Sequence, residues 1–194
     1  MDIRNDEDLK IAVEQASVLL QSIQNYTAKR NCTHAEIPQA KVRFPRGFLR
    51  TAEFQRQRLN FVKDKNLRSN LAYTLMLSDA VLWVLIRTDI SGTAGDMLCK
   101  LFLFLLGTLT ESMTKDYLKG ICGKNYKVRT QYLVEQKIID EVLKEDLDWL
   151  WDVRNRMHLF QLEQKEHSNE YNSYSHIRAV ETFRGLLYSL GHKS

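Results

Sequence analysis

Arg154, Asn155 and His158 are the residues of this chain whose types and spacing are best suited to chemistry. The segment that carries them has the pattern of a helix, and residues four apart in a helix lie on nearly the same face. Burying an arginine and a histidine on an otherwise apolar stripe costs free energy unless the two side chains have polar partners or bind a ligand. Arginine can hold a phosphate through two hydrogen bonds, and histidine can move a proton near neutral pH. A phosphate-binding group and a proton-transfer group are the fewest side chains with which a protein could cleave RNA without a metal ion.

The same side chains also have a plainer interpretation. Arg154 could form a surface ion pair with Asp148 or Asp152, and His158 could be a helix histidine whose hydrogen bonds are satisfied. Asn155 favours the functional interpretation, because its amide could orient a phosphate or a base. Residue types and spacing leave both interpretations open.

A second candidate is the basic segment 41–68, which carries nine basic and two acidic residues. Residues 1–40 have a net charge of −2 and residues 69–194 a net charge of −1, so the positive excess lies in this one segment. Phenylalanines alternate with its arginines, and such a segment can grip phosphates while bases stack on the rings. The alternative is that the phenylalanines are core and the arginines form a solvated face. The candidate RNA-binding residues are Arg43, Arg46, Arg50, Arg56 and Arg58.

The composition indicates a helical protein of the cytoplasm. Two prolines and eight glycines among 194 residues leave little material for turns, which favours a few long helices. The three cysteines form no C-x-x-C motif, so we expect reduced thiols. The polar N-terminus is unlike a signal peptide, and the longest apolar run, residues 101–109, is about half of a bilayer span. We therefore expect no membrane association.

Helical spacing of apolar residues predicts an all-α bundle of about six helices. Residues 120–130 are expected to form a basic turn, and the clearest break is DISGTAGD at residues 89–96. We expect residues 1–65 to be an N-terminal helical elaboration and residues 66–194 to be the helical core, the two forming one compact domain. The two most apolar helices, within the core, should be buried at its centre. The predicted helical segments are 6–30, 46–62, 66–87, 94–119, 131–143, 147–162 and 176–190.

An all-α chain with Arg-Asn and then His on a late helix resembles the HEPN domains, the higher eukaryote and prokaryote nucleotide-binding superfamily. Many HEPN members are metal-independent RNases of toxin–antitoxin, phage-defence and RNA-processing systems. Arg154 matches the motif arginine, Asn155 the polar position and His158 the motif histidine. The resemblance covers residues 66 to 190. Three residues separate Arg154 from His158, whereas the family has four to six.

The resemblance implies a homodimer in which two Arg/His helices face each other across a cleft. His158 would act as general acid or base, Arg154 would stabilise charge on the scissile phosphate, and Asn155 would position the RNA backbone. RNA, a second copy of the chain and an antitoxin protein would be the partners, with no cofactor and no metal ion. The shorter spacing keeps an alternative open: a non-catalytic HEPN-type bundle that binds a nucleotide or a protein.

Two carboxylates on the predicted central helices bear on the Arg154 site. Asp79 or Glu111 could neutralise and aim Arg154, because a carboxylate inside a helix bundle normally has a partner. The alternative is that both bond locally or lie near solvent. No motif for a metal site or a phosphate loop is present: His-Glu-x-x-His is missing, and SGTAG at 91–95 lacks the terminal Gly-Lys-Ser/Thr.

Overall fold

The computed structural model describes residues 2–29, 41–157 and 171–192, and all regular structure in these ranges is α-helical. The predicted all-α fold class is confirmed. The chain forms two compact units, Met1–Arg46 and Gly47–Ser194. The helices are α1 (Asp6–Lys29), α2 (Ala52–Arg58), α3 (Lys65–Arg87), α4 (Gly92–Tyr117), α5 (Tyr126–Glu135), α6 (Glu141–Asn155) and α7 (Ser173–His192).

The first unit contains α1, whose start and length agree with the predicted segment 6–30. The Asn5 side chain accepts a hydrogen bond from the Asp8 backbone N–H at 2.8 Å, and three acids in the first turn complement the positive end of the helix dipole. The apolar stripe that predicted this helix is exposed along its length. Its members include Leu9, Val13, Leu20 and Ile23.

Helix α4 is the centre of the second unit. It packs against α3, α5, α6 and α7, and its Leu103, Leu109 and Met113 are fully buried. The expectation of two central helices is therefore only half right. Helix α3 packs against α2 and α4, and its Tyr73 and Leu77 remain exposed because no described helix covers that face.

Helices α3 and α4 are each long and apolar enough to cross a bilayer, with a mean hydropathy of 1.4 over 18 residues. Length and composition alone do not distinguish such a span from a core helix of a bundle. The packing of α4 against four neighbouring helices gives its apolar side chains partners within the protein. A cytoplasmic location remains a prediction.

The starts of α2, α5 and α6 differ from the predicted ones because side-chain caps set them. Helix α2 begins only after Thr51, whose hydroxyl accepts from the Phe54 N–H, and it is much shorter than the predicted 46–62. Asn125 caps α5 and Asp140 caps α6 in the same way. The predicted helix 131–143 is thus wrong: it joins the end of α5 to the start of α6.

The earlier start of α5 also changes the environment of Arg129. The predicted basic turn 120–130 would have left this side chain in solvent, but it lies in α5 and is buried. Its guanidinium lies 5.5 Å from the centroid of the Tyr126 ring and donates to the Lys124 carbonyl at 3.1 Å. Burial raises the pKa of Tyr126, because the phenolate would be poorly solvated there.

Candidate functional site at the end of helix α6

The candidate site begins at the C-terminal end of α6, which we predicted to continue to residue 162. The helix ends at Asn155 instead. The Arg156 N–H donates to the Asp152 carbonyl, and the Met157 N–H donates to the carbonyl of Arg154, which tightens the last turn and closes the helix. No glycine or proline marks this end, so the sequence pattern missed it. His158 lies outside the described residues, and one continuous helical turn no longer fixes its position relative to Arg154.

Arg154 is held by side chains from α4 and by its own neighbour. One terminal nitrogen lies 3.2 Å from Glu111 Oε2, and the other donates to Asn155 Oδ1 at 2.8 Å. The guanidinium carbon lies 5.9 Å from the centroid of the Phe104 ring, within range of a cation–π contact. The orientation of the guanidinium is therefore fixed by one ion pair, one hydrogen bond and one aromatic ring.

Glu111 is one of the two acids that the sequence offered as a partner for Arg154, and the structure confirms this pairing. The ion pair joins α4 to α6, and its side chains are 27% and 31% exposed for Arg154 and Glu111. Both groups thus lie at the boundary between core and solvent. Of the five N–H donors of this arginine, one is bonded to Asn155 and the one on Nε is buried without a partner, so only donors on the two terminal nitrogens can serve a ligand.

The acids expected by the plainer interpretation have other partners. Asp152 lies 2.9 Å from Lys127 Nζ, and Asp148 lies 3.2 Å from Lys144 Nζ. The plainer interpretation offered Asp148 or Asp152 as the surface partner of Arg154, and this pairing is wrong. The arginine turns toward α4 because the core-facing side of α6 packs there.

Gly107 allows α6 to approach α4 closely at this point. A Cβ atom added to Gly107 would lie 2.8 Å from Arg154 Cβ and 3.1 Å from Arg154 Cγ. Phe104, Gly107 and Glu111 share one face of α4, since they are spaced by three and four residues. Sequence analysis missed Gly107 and Phe104, and only the spacing of Phe104 and Glu111 around a small residue could have indicated such a face.

The basic segment 41–68 is divided between the two units. Arg43 and Arg46 belong to the first unit and are exposed. In the second unit, Arg56 pairs with Glu53 at 2.9 Å. Of the four phenylalanines in the segment, Phe61 is buried, Phe44 and Phe48 are half-buried and Phe54 is exposed, so the core alternative holds for Phe61 and not for Phe54.

The remaining two candidate arginines lie beside α2. Arg50 pairs with Asp79 through its guanidinium, with Nε 3.1 Å from Oδ2. Arg58 donates to Gln55 Oε1 at 2.9 Å, and its guanidinium carbon lies 5.9 Å from the centroid of the Phe54 ring. Asp79, offered by the sequence as a second partner of Arg154, is therefore occupied by Arg50.

The described residues include no group of three or more His, Cys, Asp or Glu side chains placed to hold a metal ion.

Fold and site define an all-α bundle with a fixed, partly exposed arginine between two of its helices. No protein-family model matches the chain, and neither a curated protein nor a solved structure matches it. The HEPN resemblance therefore rests on the residues that suggested it.

Proposed function

We propose that this protein is a HEPN-like, RNA-directed homodimer that cleaves RNA without a metal ion. The observation that supports the proposal is the fixed position of Arg154. Its guanidinium is oriented by Glu111 and Asn155, and the Arg154 side chain as a whole remains 27% exposed just before the segment that carries His158. A preoriented cation can stabilise charge that develops on a phosphate without reorganising during the reaction.

The roles of the residues follow from their chemistry. His158 takes the proton from the ribose 2′-OH or gives one to the leaving 5′-oxygen, while the 2′-oxygen attacks phosphorus and the P–O5′ bond breaks. Arg154 stabilises the negative charge on the phosphoryl oxygens. Asn155 acts as a positioning residue, because its side-chain oxygen already accepts a hydrogen bond from Arg154. The products are a 2′,3′-cyclic phosphate end and a 5′-hydroxyl end.

A cleavage assay in EDTA tests this mechanism. The purified protein is incubated with mixed RNAs, and the ends are examined for cyclic phosphate. We expect His158→Ala to lower the rate by about 10²–10⁴-fold, the usual contribution of a general acid or base, with Arg154→Ala also strongly impaired. Arg156→Ala is the matched control, since it removes the same charge from an exposed position two residues away. Undiminished cleavage by the His158→Ala variant would remove that residue from the mechanism.

The second candidate function is a non-catalytic bundle that binds a nucleotide or a protein partner such as an antitoxin. The Glu111–Arg154 ion pair favours it, because an arginine neutralised by an acid from another helix can have a purely structural role. Under this alternative, no RNA is cut in EDTA by any of these proteins. The Arg154→Ala substitution then changes only the unfolding temperature, which it lowers. The toxin or defence setting comes from the HEPN resemblance alone.

A further inference from the structure

A second cluster of arginines lies in the Gly47–Ser194 unit and includes one residue that the sequence did not single out. Arg50, Arg58 and Arg184 line a small cavity of about 40 Å³, together with Asp79. Arg184 comes from α7, far along the chain from the basic segment 41–68. The remaining walls are mostly apolar: Leu75, Ser78, Leu82, Phe102, Leu106, Val180 and Phe183.

The charges around this cavity do not balance. Asp79 is 2% exposed and accepts hydrogen bonds from the Arg50 backbone N–H at 3.2 Å, from Arg50 Nε at 3.1 Å and from Gln55 Nε2 at 3.2 Å. Its charge is thus compensated by Arg50. Within the described ranges, no carboxylate lies within ion-pair distance of Arg58 or Arg184. The cavity therefore has two cations in excess.

Arg58 is in an unfavourable environment for a cation. Burial lowers the pKa of its guanidinium, the positive charges of Arg50 and Arg184 lower it further, and Asp79 opposes this only in part. Apolar walls strengthen electrostatic interactions because little water is present to screen them. An anion placed between Arg58 and Arg184 would relieve both the desolvation and the repulsion between like charges.

We propose that Arg58 and Arg184 form a binding site for a single phosphate group, with the Arg50–Asp79 pair as its inner wall. A water molecule needs about 10–15 Å³ on this scale of cavity volume, so the cavity has room for about three. This space can take the non-bridging oxygens of one phosphate and is too small for a ribose or a base, which would remain outside. The choice of an RNA backbone as the source of the phosphate rests on the proposed function.

RNA binding by the full chain tests the site. A fluorescently labelled 12-nucleotide RNA is titrated into the His158→Ala protein, so that the RNA stays intact. Adding Arg58→Gln or Arg184→Gln should weaken binding about tenfold each, since a charge-assisted contact to phosphate is lost. Adding Arg178→Gln should change it less than twofold, because Arg178 shares α7 with Arg184 and is paired with Asp146 at 2.7 Å. Equal affinity across all the variants would overturn the proposal.

A second arm separates the possible sources of the phosphate. Inorganic phosphate should raise the unfolding temperature of the Arg178→Gln protein, and this shift should disappear in Arg184→Gln, an exposed substitution that the fold should tolerate. A phosphate-dependent shift without RNA binding supports the site but makes free phosphate its ligand. If phosphate does not shift the unfolding temperature and RNA does not bind, the proposed site is refuted. RNA cleavage in EDTA is measured in a separate assay. The phosphate-binding proposal can therefore be judged even if the protein does not cleave RNA.

Discussion

Arg154 depends on residues that a single sequence does not connect to it. The sequence alone identified Arg154 and Asn155 as candidate site residues. It offered Glu111 as one of two acids that could pair with Arg154. Gly107 and Phe104 were not predictable, because contacts between α4 and α6 depend on the helix–helix packing and not on local spacing. His158 lies outside the described residues, so its role stays a prediction.

At the residue scale, we expect Gly107→Ala to be strongly destabilising for its size. The added methyl would lie 2.8 Å from Arg154 Cβ, so α6 must move away or Arg154 must change its conformation. Overpacking of this kind typically costs about 1–3 kcal/mol, and displacement of Arg154 should also lower any RNase activity. Urea denaturation measures the first effect.

Gly123→Ala is the matched control for that substitution, since a Cβ atom there meets nothing within 4 Å. It should change the unfolding free energy by less than about 0.5 kcal/mol. Equal stability of the Gly107→Ala and Gly123→Ala proteins would show that α6 is not packed this closely against α4.

At the scale of elements, the long helices were predictable and the short ones were not. The predicted bounds of α1, α3 and α7 lie within three residues of the observed ones, because many apolar residues define each period. Between α5 and α6 the periodicity continues across a break. The break is a Schellman motif, in which the Ile138 N–H donates to the Leu133 carbonyl at 2.9 Å and the Lys137 N–H to the Val134 carbonyl at 2.8 Å. Glycine usually marks this motif, and here lysine occupies its place.

Lys137 has a φ of 54°, a left-handed conformation that costs a residue with a side chain about 1–2 kcal/mol. We therefore expect Lys137→Gly to raise the unfolding free energy by about 0.5–1 kcal/mol, after the extra entropy of glycine in the unfolded chain. Lys137→Ala keeps the backbone strain and should show no such gain. Equal stabilisation by both variants in chemical denaturation would point to the lysine side chain instead of the backbone.

At the scale of the whole molecule, α7 contributes a group that should link stability to pH. His176 is partly buried, its ring centroid lies 5.0 Å from that of Phe102, and its Nε2 has no hydrogen-bond partner in the described part of the chain. Burial lowers its pKa, since an imidazolium would be poorly solvated there. The unfolded chain therefore binds this proton more readily than the folded one.

The direction of the pH effect follows from this difference. The contribution of neutral His176 to the free energy of unfolding should be fully present above the unfolded histidine pKa of about 6.5. It should fall as the pH is lowered through that value, by at most about 1.4 kcal/mol per pH unit for one proton. We expect His176→Phe to remove this pH-dependent component below about pH 6.5. Denaturation curves at several pH values measure it, and parallel pH profiles for both proteins would exclude His176 as the cause.

The Arg50–Asp79 contact has a consequence for where the chain can be shortened. A fragment starting at Gly47 keeps Arg50 and Gln55, whereas one starting at Asn66 loses every donor that Asp79 has outside α3. Asp79, which is 2% exposed beneath these donors, would then lose both its counter-charge and its cover. Arg50 and Gln55 thus cover Asp79. A fragment trimmed at Asn66, the apparent edge of the helical core, would lose that cover.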